Sequence, residues 1–199
     1  MMFVLGLTGS IGMGKSTAAA MFRAEGIAVH DADAVVHTLY RGEAAPVIEA
    51  VFPGTTRDGV VDRALLGALV LDHPAELARL EAIMHPLVAA SRDAFLIEAE
   101  KNGARLVVLD VPLLFETGAD RKVDAVVLAT APEAVQKERL SRRPGMTSER
   151  LAVILARQMP DAEKRARAHF IIDTGGAFAA TRRQVRGILR ALAGAKNKI

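Results

Sequence analysis

The stretch "GLTGSIGMGKST", Gly6–Thr17, decides how this 199-residue chain is read. It follows the apolar run "MFVL" and places four glycines among hydroxyl side chains and the chain's first lysine. Inside a helix or strand each glycine costs roughly 0.5–1 kcal/mol relative to alanine, so some other requirement shapes the segment. "GSIGMGKS" fits G-x-x-x-x-G-K-[ST] at Gly9, Gly14, Lys15 and Ser16, with an apolar strand before it and an alanine-rich helix after it. Glycines let the backbone wrap an anion with successive N–H groups pointing inward, and the following helix adds its positive N-terminal end. Lys15 is placed to reach the β and γ phosphates of a nucleotide, Ser16 to ligate Mg2+, and Thr17 to contact the α-phosphate. The stretch therefore predicts a nucleoside triphosphate site.

Composition narrows what surrounds that site. Half the residues are apolar (51%), Trp is absent and only one Tyr occurs, which favours helices on an aliphatic sheet over a base-stacking nucleic-acid platform. The absence of cysteine removes disulfides and thiolate metal sites and fits a cytoplasmic location. The five histidines show no ligand spacing, so no zinc site is expected. No stretch reaches the ~18 apolar residues of a membrane span, and the N-terminal apolar run lacks the basic flank of a signal peptide. Between Lys137 and Arg167 nine Lys or Arg face four Asp or Glu, a local net of +5 on a chain of net +3. That asymmetry suggests anionic ligands at one place, although a solvated helical face would look the same.

Short apolar runs alternating with helical patterns predict an α/β fold with a parallel sheet. Strands are expected at Phe3–Leu7, Ile27–His30, Leu106–Val111, Ala125–Ala129 and Phe170–Ile172. "LVVLDV" and "AVVLA" are apolar almost throughout, as in strands covered on both faces. The first helix runs from Lys15 towards a C-cap at Gly26. About seventy residues separate the second and third strands, enough for a helical lobe with helices at Ala34–Arg41, Ala45–Val51, Arg63–Leu71, Pro74–Met84 and Pro86–Asn102. "PGTTRDG" reads as a loop among them, and Pro86 is expected to break the long helical pattern. The basic segment, with its break at "RRPGMTSE", reads as a small helical flap. A last helix, about Gly176–Ala193, precedes the tail "GAKNKI". The expected domains are a core (1–32, 104–138 and 168–199), a helical acceptor lobe (33–103) and a lid (139–167).

Carboxylates and arginines complete the pattern. "HDADAVVH" puts Asp31 and Asp33 at the carboxyl end of the second strand, where parallel sheets open their ligand crevice. Asp33 is placed to take or orient an acceptor hydroxyl's proton and Asp31 to lie nearer a metal, while helix capping is the alternative for either. "LDVPLLFE" ends an apolar strand at Asp110, the Walker B arrangement for Mg2+, with Glu116 shortly after. In "ERLSRRPGMT", Arg139 and Arg143 lie one helical turn apart, suited to the charge of a moving phosphoryl group. Arg157 and Lys164 are read as surface ion pairs. A guanine-reading N-K-x-D is missing, which argues against a GTPase. A small kinase with a helical acceptor lobe and an arginine-bearing flap fits better.

Together the motifs resemble the dephospho-CoA kinase family over nearly the whole chain: "LTGSIGMGKST", "GIAVHDAD", "LEAIMHPLV", "VVLDVPLLFE", "RLSRR", "RQM" and "FIID". The resemblance implies a three-layer P-loop fold with a five-stranded parallel sheet, a helical substrate-binding insertion and a small helical lid. It implies transfer of the γ-phosphoryl of ATP, with Mg2+, to the ribose 3′-hydroxyl of dephospho-CoA. Carried over by position, Gly12, Met13, Gly14, Lys15, Ser16 and Thr17 resemble the ATP phosphate contacts, and Thr8 lies near the reaction centre. Asp33 resembles the residue facing the ribose hydroxyl, His85 and Leu113–Glu116 resemble acceptor-side positions, and Arg139 and Arg143 resemble lid arginines. Where the family commonly reads "VIDN" before glycine, this chain has "IIDTGG" with Thr174, which lacks an amide's paired donor and acceptor. No nucleic-acid or membrane partner is expected, and the assembly is read as a monomer or weak homo-oligomer. The rivals are a kinase for another small acceptor, such as a nucleoside monophosphate or shikimate, and a nucleotide-gated binding protein.

Overall fold

The computed structural model describes residues 2–143 and 145–195. Its main sheet is built from β1 (Phe3–Thr8), β2 (Ala28–Asp31), β5 (Leu106–Asp110), β6 (Ala125–Thr130) and β7 (Phe170–Asp173). These five strands lie in the order β2-β5-β1-β6-β7. β1 runs parallel to β5 and β6, and β6 parallel to β7. Every residue of β6 is buried, the consequence of cover on both faces. Leu5, Leu7, Val127 and Ala129 turn to one face, against Ala18, Ala19 and Phe22 of α1 (Lys15–Ala24) and Val185 and Ile188 of α9 (Phe178–Ala195). Val126 turns to the other face, with Leu114, Phe115 and Met159. The period-2 side-chain alternation of strands thus sorts one apolar run into two core layers.

The pairing register gathers the chemistry at one edge. Leu7 pairs with Asp110, Thr8 with Leu128, and Thr130 with Asp173, so the strands end together where the Gly9–Ser16 loop leaves β1. Such carboxyl ends are where open parallel sheets bind ligands.

Residues Asp31–Lys101 form a separate compact unit, set apart from Met1–His30 with Asn102–Ile199. It contains α2 (Ala32–Leu39), α3 (Ala44–Val51), the strands β3 (Thr56–Arg57) and β4 (Val60–Val61), α4 (Arg63–Val70) and α5 (Pro74–Lys101). Two expectations are corrected here. Pro86 does not break the helix: α5 is continuous across it. Leu77, Leu80, Ile83, Met84, Leu87 and Val88, on both sides of the proline, pack into one core with Ile48, Phe52 and Leu66. That continuous apolar stripe outweighs the missing N–H, as tertiary packing commonly overrides a local penalty. "PGTTRDG" is not merely a loop, because β3 and β4 pair antiparallel. The turn between them, Asp58-Gly59, has both φ values positive (51° and 75°), the backbone that a two-residue Asp-Gly hairpin requires.

The basic segment forms α6 (Glu133–Ser141), α7 (Ser148–Ala156) and α8 (Asp161–Arg167). α6 stops at Ser141 with Arg142 as its C-cap, so Arg143 lies past the helix and not on a shared face with Arg139. Pro144 of "RRPGMTSE" and residues 196–199 of the tail lie outside the described residues.

Candidate active site

The glycine-rich loop departs from β1 and turns into α1. Gly14 is the N-cap of α1 with φ 78°, and no side chain caps the helix, so its first-turn N–H groups stay available to an anion. Gly12 also has positive φ (79°), and a Cβ there would stand 2.9 Å from Leu140 Cγ of α6. A Cβ on Gly9 would stand 2.6 Å from the Ala129 carbonyl oxygen, and one on Gly14 would run into the Thr174 hydroxyl. Close approach therefore requires glycine at all three positions, against backbone at Gly9 and against a buried side chain at Gly14.

Lys15 Nζ lies 2.6 Å from Asp110 Oδ1, with Asp110 only 1% exposed. The register that sets Asp110 beside Leu7 produces this pairing and holds the ammonium at the loop. Ser16 is exposed and Thr17 half-buried in the first turn of α1. Thr8, fully buried, donates from its hydroxyl to the Pro112 carbonyl at 3.0 Å, which ties the end of β1 to the segment after β5. Oxygen donors from one hydroxyl and one carboxylate, beside a polyphosphate cradle, suit Mg2+, which keeps much of its shell as water and phosphate oxygen. Ser16 and Asp110 therefore fit the metal that the fold implies.

α6 closes the outer side of the loop. Arg139 donates from Nη1 to the Gly12 carbonyl (3.3 Å) and to Thr174 Oγ1 (3.0 Å), and from Nη2 to the Thr174 carbonyl (2.6 Å). Thr174, 3% exposed, donates its hydroxyl proton to the Met13 carbonyl at 2.9 Å. Gln136 Nε2 donates to the Ile11 carbonyl at 2.7 Å, and Gln158 Oε1 accepts from the Ile11 N–H at 3.1 Å. The Met13 sulfur accepts the Ala131 N–H at 3.2 Å. Of these groups, sequence reading singled out Gly12, Met13 and Arg139 for the site, and Thr174 as a departure from the family pattern. Gln136 stood in a helical charge pattern with no spacing signal to expose it, and Gln158 showed only within the motif "RQM".

A second cluster supports the segment after β5. Lys164 of α8 is completely buried, which corrects its reading as a surface ion pair, and lies 2.9 Å from Glu116 Oε1. The same carboxylate oxygen accepts the Met159 N–H at 2.8 Å. Burial pushes the Glu116 carboxyl up, but the Lys164 ammonium and the Met159 N–H outweigh it, and the group sits below the ordinary carboxylate range. Alongside, Arg167 pairs with Asp120 at 2.8 Å and stacks 4.6 Å from the centre of the Phe115 ring. Leu113 is exposed just before, with its carbonyl accepting from Thr117.

In the helical unit Asp31 is the N-cap of α2, its carboxylate accepting the Ala34 N–H at 3.0 Å. Asp33 follows in the first turn of that helix, exposed, and His85 is exposed on α5 next to Pro86.

A parallel sheet with an anion-cradling loop after its central strand, and a lysine–aspartate pair where the strands end, defines a P-loop kinase fold. The dephospho-CoA kinase family model matches residues 3–179. A relative from Mesorhizobium japonicum named dephospho-CoA kinase is 60% identical over 97% of this chain and 98% of its own. Among solved structures, TT1252 from Thermus thermophilus superposes with TM-score 0.82 at 34% identity, covering 96% of this chain and 98% of that one. Dephospho-CoA kinase from Campylobacter jejuni superposes with TM-score 0.73 at 24% identity, covering 98% and 100%, a likeness of fold. The chain belongs to the dephospho-CoA kinase family. Among the described residues, no helix is long and apolar enough to cross a membrane.

Proposed function

We propose that the protein transfers the γ-phosphoryl group of ATP to the ribose 3′-hydroxyl of dephospho-CoA, giving coenzyme A and ADP. The single observation that carries this is family membership across nearly the whole chain, joined to an intact phosphate loop with Lys15 held at Asp110. The Gly9–Thr17 backbone binds the phosphates through N–H groups that the glycines leave uncovered. Lys15 steadies the β and γ oxygens as charge shifts towards the leaving ADP, and Arg139 and Arg143 of the lid add positive charge. Asp33 orients the 3′-hydroxyl and accepts its proton: the ribose oxygen bonds to the γ-phosphorus, and the bond from that phosphorus to the β–γ bridging oxygen breaks. Thr8, His85, Leu113 and Glu116 are assigned to binding of the acceptor. Ser16 and Asp110 would hold Mg2+, which when bound would neutralise phosphate charge. Lid closure excludes water, since an open site would spend ATP on hydrolysis.

The test is an acceptor screen in a coupled ADP-release assay with purified protein. ADP release should depend on dephospho-CoA and respond to neither shikimate nor nucleoside monophosphates. Release stimulated by one of those rivals, or slow release indifferent to any acceptor, would overturn the reading.

A further inference from the structure

Three consecutive carbonyls of the phosphate loop are held from outside by side chains. Gln136 holds Ile11 O, Arg139 holds Gly12 O and Thr174 holds Met13 O, at 2.7, 3.3 and 2.9 Å. A trans peptide sends its carbonyl and its N–H in opposite directions. Fixing Ile11 O outward therefore turns the Gly12 N–H to the other side, and fixing Met13 O does the same for the Gly14 N–H. The intervening Met13 N–H is satisfied within the loop by Ser10 O at 3.0 Å. Both glycines sit at positive φ, where the backbone has no Cβ to restrict rotation of these peptides. Without outside restraint, such peptides can rotate their donors away from the cradle.

Thr174 is the more informative of the two neutral side chains. Its hydroxyl donates to Met13 O while accepting from Arg139, and its carbonyl takes a second bond from the same guanidinium. It also occupies the space that a Cβ on Gly14 would need. A threonine reaches this carbonyl as a short, stiff hydroxyl with a single proton to give.

We infer that Gln136 and Thr174 are positioning residues, which orient the phosphate-loop peptides from behind so that the Gly12 and Gly14 N–H groups face the polyphosphate. The inference rests on the nucleotide-binding reading above. It assigns these side chains to the phosphates and not to the base, and the choice of probes follows from that.

Thr174→Val keeps shape and loses the hydroxyl; Gln136→Leu loses the amide on an independent helix; Thr174→Ser restores the hydroxyl. Binding of ATP and of inorganic tripolyphosphate, each with Mg2+, is measured by calorimetry, alongside KM for both substrates. Thr174→Val and Gln136→Leu should each weaken ATP and tripolyphosphate alike by about tenfold, equal to ~1.4 kcal/mol. KM for dephospho-CoA should stay within about twofold, below the ~1 kcal/mol typical of one lost hydrogen bond. Thr174→Ser should return both affinities towards the parent. Unchanged affinity for both probes would overturn the proposal, as would a loss confined to ATP, which would place Thr174 at the base. If Thr174→Val fails to fold, Gln136→Leu tests the same claim from α6. A parent protein that binds neither probe would overturn the nucleotide reading itself, a result distinct from a parent that binds and variants that match it.

Discussion

Replacing Glu116 by Gln leaves the Lys164 ammonium fully buried with no opposing charge, because Glu116 is its partner at 2.9 Å. Taking one partner from a buried ion pair costs about 3–5 kcal/mol, since the remaining charge keeps its desolvation penalty and loses its attraction. For a chain of this size each kcal/mol lowers the melting temperature by about 2–4 °C, so Glu116→Gln should melt on the order of 10 °C below the parent. The reverse change is milder. Lys164→Met strands a carboxylate whose Oε1 still accepts the Met159 N–H at 2.8 Å, so one donor continues to serve it. Its loss should be about half as large. Glu116→Gln combined with Lys164→Met removes both charges and should recover much of the deficit, a coupling that a double-mutant cycle reads directly. Thermal unfolding followed by circular dichroism checks the series. A Glu116→Gln protein melting within about 2 °C of the parent, less than 1 kcal/mol, would refute the reasoning. So would a larger loss in Lys164→Met.

The same carboxylate makes stability depend on pH: its folded pKa is depressed, so the unfolded chain takes up the proton first. Its contribution should be complete above the ordinary value of about 4.5 and lost as pH falls through the lower folded value, so the melting gap between parent and Glu116→Gln narrows in acid. Gly14→Ala forces a left-handed backbone onto alanine, at roughly 1–2 kcal/mol, and drives its methyl group into Thr174; ATP affinity by calorimetry should fall tenfold or more. Asp33→Asn should keep ATP affinity within a few fold yet lower turnover by ~100-fold, the scale of general-base catalysis; near-normal turnover would remove Asp33 from the mechanism.

Much of the core was legible because its signals are local. Continuous apolar runs marked β5 and β6, and the glycine spacing before Lys15 marked the loop and the start of α1 within a residue. Pro86 misled because a local rule lost to packing: the residues that keep α5 continuous through it belong to α2, α3 and α4 as much as to α5. The Asp58-Gly59 turn carried a hairpin signal, but its flanking strands are two residues each, too short to show alternation. Lys164 sits in "DAEKRAR", whose charge pattern reads as a solvated helix. Its half-buried partner Glu116 lies far away in sequence, outside α8. Thr174 showed only as a departure from a family pattern. That its hydroxyl meets Met13, across a separation of 161 residues, follows from strand order alone, and strand order is not written in any short segment.

A crystal structure with a non-hydrolysable ATP analogue, Mg2+ and dephospho-CoA would test the whole account most directly. The β and γ phosphates should rest on the N–H groups of the Gly9–Ser16 loop with Lys15 beside them, and the Asp33 carboxylate should lie within hydrogen-bonding distance of the ribose 3′-hydroxyl. An empty loop, or Asp33 turned away from that hydroxyl, would contradict it.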